Sequence, residues 1–396
     1  MDLFRQASRK VHRDGANAFL SEVHEEIVRE KVLRRYIDAN VNYERDTVTV
    51  ADLTTNAEQF SLEDSIEPRV TQIPPKQSNE SVADVPDRSF PTQQCGILRD
   101  ATVLAPAGLV RSPNGQYVAD SVGPINLTTR RVSVSLSMFG YEFGINQLRK
   151  TLSAGQRKEN AAVTVDEAIV LMPLWPNYFH WTVEGLLKLH WLERYVKQTN
   201  TTPTILVPEN LSSWMRESLT LLGYDSEDCL AVGTARTQVN RLLVPSQPEP
   251  IIEHTRWLRN QMLDAVDSPR KGARIYISRR NATKRQVVNE ESVSNALQRL
   301  GFETYALEEL SVEEQVELFS DAEVVVGPHG AGLANLVYAD DPLVVELFGR
   351  KRLNTYHRLA TALGFEYEPV YCDSRGTDLV VDSEELTERL SDHINM

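Results

Sequence analysis

Three stretches of this 396-residue chain crowd chemically able side chains into few positions. The first is WPNYFHWTVEG, residues 175–185, where two tryptophans, two other aromatics, an asparagine and a histidine meet at a strand-to-helix junction. Aromatic faces suit sugar rings, whose C–H surfaces are apolar while their hydroxyls need polar partners. Trp175, Asn177, Tyr178 and Trp181 are therefore candidate acceptor contacts. His180 and Glu184 stand one helical turn apart on the same face, and either can serve as a general base. The competing reading is a helix cap over core aromatics.

The second stretch is VVVGPHGAGLAN, residues 324–335. Three valines in an unbroken run read as a buried parallel strand. His329, Gly330, Ala331 and Gly332 then turn it into a helix that includes Asn335. A helix N-terminus presents bare backbone N–H groups and attracts an anion, commonly a phosphate. The alternative is a tight turn whose glycines are needed only for positive φ. In the third stretch, RIYISRRNATKRQVVNEES, a strand runs into Ser278, Arg279, Arg280 and Arg285. Guanidinium groups at a strand's carboxyl end pair bidentately with phosphate oxygens, and together could neutralise a diphosphate without a metal ion. The competing view is a solvated basic loop. Asn289 is either a ligand contact or a helix cap. Glu346, emerging from LVVELF, can accept hydrogen bonds from ribose hydroxyls. No G-x-G-x-x-G or Walker lysine motif is present, which disfavours dinucleotide oxidoreduction and the usual phosphoryl transfer.

The elements that must position these groups divide the chain in three. Residues 1–92 are a helical arm followed by an irregular connection over 54–92, rich in Ser, Thr, Asn, Glu and Pro. Residues 93–250 begin with short strands around an SPNG turn and then alternate strand and helix. Residues 251–396 alternate likewise. Such alternation predicts parallel sheets with helices on both faces, here two Rossmann-like halves facing a cleft, with ligands at the strands' carboxyl ends.

The composition, 41% hydrophobic and 25% charged, is that of a globular chain. A net charge of −14 argues against general nucleic-acid binding, which needs a basic face. The three cysteines, Cys95, Cys229 and Cys372, have neither a disulfide nor a metal spacing. No run approaches a membrane span, and the N-terminus lacks the apolar core of a signal peptide. Sequons at Asn126, Asn200 and Asn210 then read as chance. The expected compartment is the cytoplasm. The arm's basic stretch, LFRQASRKVHRDGANAFL, could touch a membrane surface, but a packing arm or partner helix is the favoured reading.

NYFHWTVEGLLKL, YISRRNATKRQVVNE, VVGPHGAGLANLVY and VVELF, in that order, resemble glycosyltransferase family 61. The resemblance covers roughly residues 95–370 and leaves out the arm. It implies an α/β fold of the GT-B type and inverting transfer from a nucleotide sugar, with uridine diphosphate as the expected nucleotide. It implies no bound metal and no other cofactor, and places Arg279, His329 and Gly330 to Gly332 at the donor. The acceptor class spans glycan, lipid-linked glycan and protein. The absence of a signal anchor departs from the Golgi members and points to a cytoplasmic, prokaryotic relative. The combined expectation is a two-domain enzyme with His180, then Glu184, as base. Its rivals are a non-catalytic glycan-binding or assembly protein and a sugar-nucleotide epimerase of similar architecture.

Overall fold

A computed structural model describes residues 16–53, 60–66, 93–123, 128–153, 163–246, 251–266 and 271–394. The first fifteen residues of the basic arm, the sequon at Asn126 and most of 54–92 lie outside the described residues. The chain divides into two compact units, one of 20–68 and 91–249, the other of 1–19, 69–90 and 250–396.

In the first unit, helical segments continue from Leu20 to Asn40 with a π-helical stretch at Val28–Leu33. Leu33 and Ile37 pack against the helix Thr128–Phe143, whose Val132, Leu136 and Phe139 recur at helical spacing and are buried with them. That long helix was not anticipated, because TTRRVSVSLSMFG carries five hydroxyl residues, whose local hydrogen bonding competes with helix, and its V-S-V-S-L-S run alternates as a strand would. It matters because it positions Arg131.

The unit's sheet comprises β1 (Thr47–Val48), β2 (Phe60–Ile66), β3 (Gln93–Leu104), β4 (Leu109–Arg111), β5 (Tyr117–Val118), β6 (Val163–Val170), β7 (Thr204–Pro208), β8 (Cys229–Val232) and β9 (Arg236–Pro245). The order is β1-β5-β4-β3-β9-β6-β7-β8, with β2 also paired to β3. This corrects two expectations. The connection read as irregular contains strand β2, antiparallel to β3. The sheet is also mixed rather than parallel: β9-β6-β7-β8 pair in parallel, but β3 is antiparallel to β2, β4 and β9. The reason is local. Strands joined by a few residues, such as β3 and β4, can pair only antiparallel, whereas parallel strands need a long crossover.

In the second unit, β10 (Lys271–Ile277), β11 (Glu303–Tyr305), β12 (Asp321–Pro328), β13 (Leu343–Phe348) and β14 (Tyr367–Tyr371) form an all-parallel sheet in the order β11-β10-β12-β13-β14. Tyr276, Val326, Val345 and Leu347 pack on one face with Val293, Leu297 and Leu386. Val325 and Val344, pointing the other way, are equally buried. Burial on both faces explains why these strands are unbroken apolar runs. Chain order reverses between β10 and β12: β11 lies outside β10, while β13 and β14 continue beyond β12. In such sheets the crevice at the carboxyl ends of the two strands flanking that reversal is the ligand position.

Candidate functional site

Arg279 follows β10 and His329-Gly330 follow β12, so these residues occupy the two lips of that crevice. Neither of the two readings of the glycines survives unchanged. Gly330 has φ −176° and ψ 165°, an extended conformation open to any residue. Neither Gly330 nor Gly332 has positive φ. A Cβ on Gly330 would instead lie 2.1 Å from Arg279 Nη1 and 2.9 Å from its Cζ. One on Gly332 would lie 2.9 Å from Leu307 Cδ1 and 3.3 Å from Ile277 Cγ2. The first glycine makes room for a guanidinium, the second for core packing. The segment Ala331–Tyr338 that follows is 3₁₀-helical, where an α-helix was expected.

Arg279 donates from Nη2 to the Lys284 carbonyl at 3.1 Å, while its Nε is buried without an acceptor. Burial pushes this guanidinium down to about 10, and the neighbouring Arg285 adds to the shift. Arg285 donates from Nε to the His329 carbonyl at 2.7 Å and is likewise pushed down by burial. Its φ of 59° is left-handed, which costs a non-glycine residue energy and is a known mark of constrained sites. Among the described residues neither guanidinium has a carboxylate in an ion pair. Two half-buried like charges side by side repel one another, offset only in part by the more distant carboxylates of Glu308 and Glu346, and an anion between them removes that cost.

Other predicted donor residues are already committed elsewhere. Arg280 turns to solvent and pairs with Glu309 at 2.7 Å. Ser278 Oγ accepts the Arg280 N–H at 3.2 Å, a turn contact. Both ends of the Asn289 amide bind the Val381 backbone, so it neither caps its helix through the side chain nor faces a ligand. Asn335, fully buried, donates to Gln315 Oε1 and the Gly332 carbonyl. Ala331 serves only as backbone at the start of the 3₁₀ turn. Glu346 is the clearest correction. Instead of meeting a ribose it is 0% exposed, with Oε1 2.5 Å from His329 Nδ1 and Oε2 accepting the Tyr367 hydroxyl at 2.5 Å. Burial pushes its carboxyl upward, against the pull of His329 and Tyr367. The His329 ring contacts Phe348, stacked at 5.7 Å, and Tyr356, tilted at 5.4 Å.

The first unit holds a separate cluster. The helical stretch beginning at His180 is π-helical over His180–Gly185, a local widening that recurs at functional sites. Asn177, not His180, caps it: its Oδ1 accepts the His180 N–H at 3.1 Å. His180 Nδ1 lies 2.8 Å from Glu184 Oε2, though turned off the line of a good hydrogen bond. Arg131, 6% exposed, approaches Glu184 Oε1 at 3.3 Å and donates to the Val122 carbonyl at 2.9 Å. Burial pushes the Glu184 carboxyl up, but His180 and Arg131 outweigh it, so it titrates below the ordinary range. Trp175 stacks under Arg131 at 5.0 Å and beside His180 at 5.0 Å. Tyr178 is half-buried against Trp214. Trp181 is 0% exposed and donates to Ser218 Oγ at 2.8 Å, so it is core rather than an acceptor contact.

Sequence reasoning missed Arg131, Lys188, Tyr356 and Tyr367. Lys188 is 5% exposed, and burial pushes its ammonium down to about 8, with Arg131 adding to the shift and Glu184 and Asp120 opposing it. Its signal was present, since His180, Glu184 and Lys188 recur every four residues. Tyr367 joins the site through the pairing of β14 with β13, and Tyr356 through the helix Thr355–Leu363, contacts that no local pattern carries. Among the described residues no cluster of three His, Cys, Asp or Glu could hold a metal ion. No helix among them is long and apolar enough to cross a membrane.

Residues 178–345 match the family model described as Glycosyltransferase 61. Two curated relatives are the EGF domain-specific O-linked N-acetylglucosamine transferases of Gallus gallus and Mus musculus. Each is 30% identical over 108 residues, covering 26% of this chain and 20% of the relative. The matched segment is thus about a fifth of those relatives' length.

Proposed function

From a chain whose residues 178–345 match the glycosyltransferase 61 family model, we propose an inverting transfer of a sugar from a nucleoside-diphosphate sugar to a hydroxyl acceptor, without a bound metal. The observation that carries this reading is the Arg279–Arg285 pair at the switch point of the parallel sheet, with no carboxylate partner among the described residues and Gly330 cut back to make room. In such a transfer the acceptor hydroxyl attacks the anomeric carbon as the bond to the diphosphate oxygen breaks. The departing charge is held by the two guanidinium groups and the backbone N–H groups after Gly330. The diphosphate leaves as the anion, and the acceptor proton goes to a base.

His180 is that base in this reading. Glu184 is the weaker candidate, because a carboxylate held below its ordinary range by Arg131 and His180 is a poor proton acceptor. Glu184 orients the imidazole instead, and Trp175 offers an aromatic face beside it. An EGF-domain acceptor and N-acetylglucosamine as the sugar are substrates of the named relatives, and are the first to try here. The direct test incubates the protein with a panel of nucleotide sugars and acceptors and follows release of free nucleoside diphosphate. Release dependent on both donor and acceptor supports transfer. Binding without turnover favours a glycan-binding protein, and donor isomerisation without acceptor favours an epimerase.

A further inference from the structure

We propose that Tyr367, Glu346 and His329 form a proton-holding relay that makes His329 Nε2 a charged hydrogen-bond donor to the phosphate bound beside Arg279 and Arg285. The inference rests on the diphosphate reading of that crevice and goes beyond it by assigning a proton to the site.

A carboxylate in the middle of LVVELF, on a strand whose six residues are all buried, is costly unless its oxygens are filled. Glu346 has both filled. The Tyr367 hydroxyl, held protonated by burial and by this same carboxylate, can only donate to it. His329 Nδ1 takes the other oxygen. The three side chains come from three adjacent strands or their ends: β12, β13 and β14. The His329 backbone is fixed as well, its N–H donating to the Leu347 carbonyl at 3.1 Å and its own carbonyl accepting from Arg285. With Nδ1 committed, the working nitrogen is Nε2, which has no hydrogen bond to a described residue.

With Nδ1–H donating to the Glu346 carboxylate, Nε2 carries a proton only while the ring is charged. Glu346 favours that charge. Arg285 and, across Gly330, Arg279 oppose it, with Lys351 near Arg285 adding to the positive side. Phe348 and Tyr356, both in contact with the ring, are neutral. Without an anion, cations therefore crowd the crevice. A bound phosphate reverses the balance and draws a proton onto His329, which then donates from Nε2 to a phosphate oxygen. Glu346 and Tyr367 are positioning residues; only His329 touches the ligand.

The test is calorimetric titration of the full chain with UDP, GDP, ADP, CDP and dTDP at pH 8, in buffers of different ionisation enthalpy. At that pH a free nucleoside diphosphate is fully ionised. Binding should take up a substantial fraction of a proton per nucleotide, and affinity should weaken as pH rises. His329→Gln should abolish the uptake and lower affinity about tenfold. Glu346→Gln should strongly reduce the uptake. Tyr367→Phe, which spares the Glu346–His329 contact, should keep most of it and covers the case in which Glu346→Gln does not fold. Nucleotide binding with no proton uptake in the unaltered protein, or uptake that persists in His329→Gln, overturns the relay while leaving the diphosphate site standing. Failure of every nucleotide to bind at millimolar concentration overturns both.

Discussion

The Arg279 guanidinium fills the space a side chain on Gly330 would need: a single added carbon on the glycine would overlap it. Because the obstructed atoms are the tip of a flexible side chain, the fold can yield where the site cannot. Gly330→Val is therefore expected to leave melting temperature nearly unchanged and to weaken nucleotide binding tenfold or more, ~1.4 kcal/mol. Calorimetry on the variant checks this, and undiminished affinity would show that the guanidinium's position does not matter to binding.

Arg279 itself should stabilise the ligand at the expense of the empty fold. Replacing it by methionine removes one of two repelling, half-buried cations. The free variant should melt at a higher temperature than the parent while losing most nucleotide affinity. A lower melting point would mean the guanidinium is chiefly structural.

Turnover should separate His180 from Glu184. His180→Ala is expected to lower it ~10²–10⁴-fold, the usual contribution of general base catalysis, with nucleotide affinity kept. Asn177→Ala, which removes the actual cap, should instead cost ~1 kcal/mol of stability. Equal turnover in His180→Ala and the parent would rule the imidazole out as base.

Glu184 and Lys188 both make stability rise with pH, but in separate windows. The Glu184 carboxyl is lower in the fold than in the unfolded chain, so its contribution is present above the ordinary carboxylate range and is lost as pH falls through its folded value. Glu184→Gln should flatten the acid limb of a stability profile. Lys188 is depressed to about 8, so the unfolded chain binds more protons between there and the ordinary lysine value, and stability rises with pH across that window. Lys188→Met should raise the melting temperature at pH 7, by roughly 2–4 °C per kcal/mol relieved. That gain should vanish near pH 10. A gain constant with pH would trace it to packing instead.

Arginines in place of a cation predict that turnover survives excess chelator. Loss of activity in chelator, restored by manganese, would contradict the electrostatic account of the leaving group.

The parallel half of the fold and the residues at its strand ends were legible because their signals are local. VVVGPHGAG announces a buried strand and its exit, and RIYISRR places arginines at another strand's end. The four-residue spacing of His180 and Glu184 likewise survives the π-helical widening and brings them to 2.8 Å. What could not be read is set by distant pairing. Nothing near Glu346 says that β14 will place Tyr367 on its second oxygen, which turns an apparent ribose ligand into a buried link. Nothing near Arg131 says that its helix meets Glu184. Trp181 looked like a sugar platform because the sequence shows an aromatic's presence and not its burial.

Strand β3 has a consequence for biosynthesis. All twelve of its residues emerge by Leu104, yet the edge toward β9 is completed only when Arg236–Pro245 arrives, 132 residues after Leu104. At translation rates of ~5–20 residues per second, an apolar strand edge stays open on the ribosome for roughly 7–26 s. During that interval, nascent chains on one polysome can pair with each other through β3. Heterologous yield should therefore depend on trigger-factor-like holdases and on slower initiation more than on the stability of the finished protein.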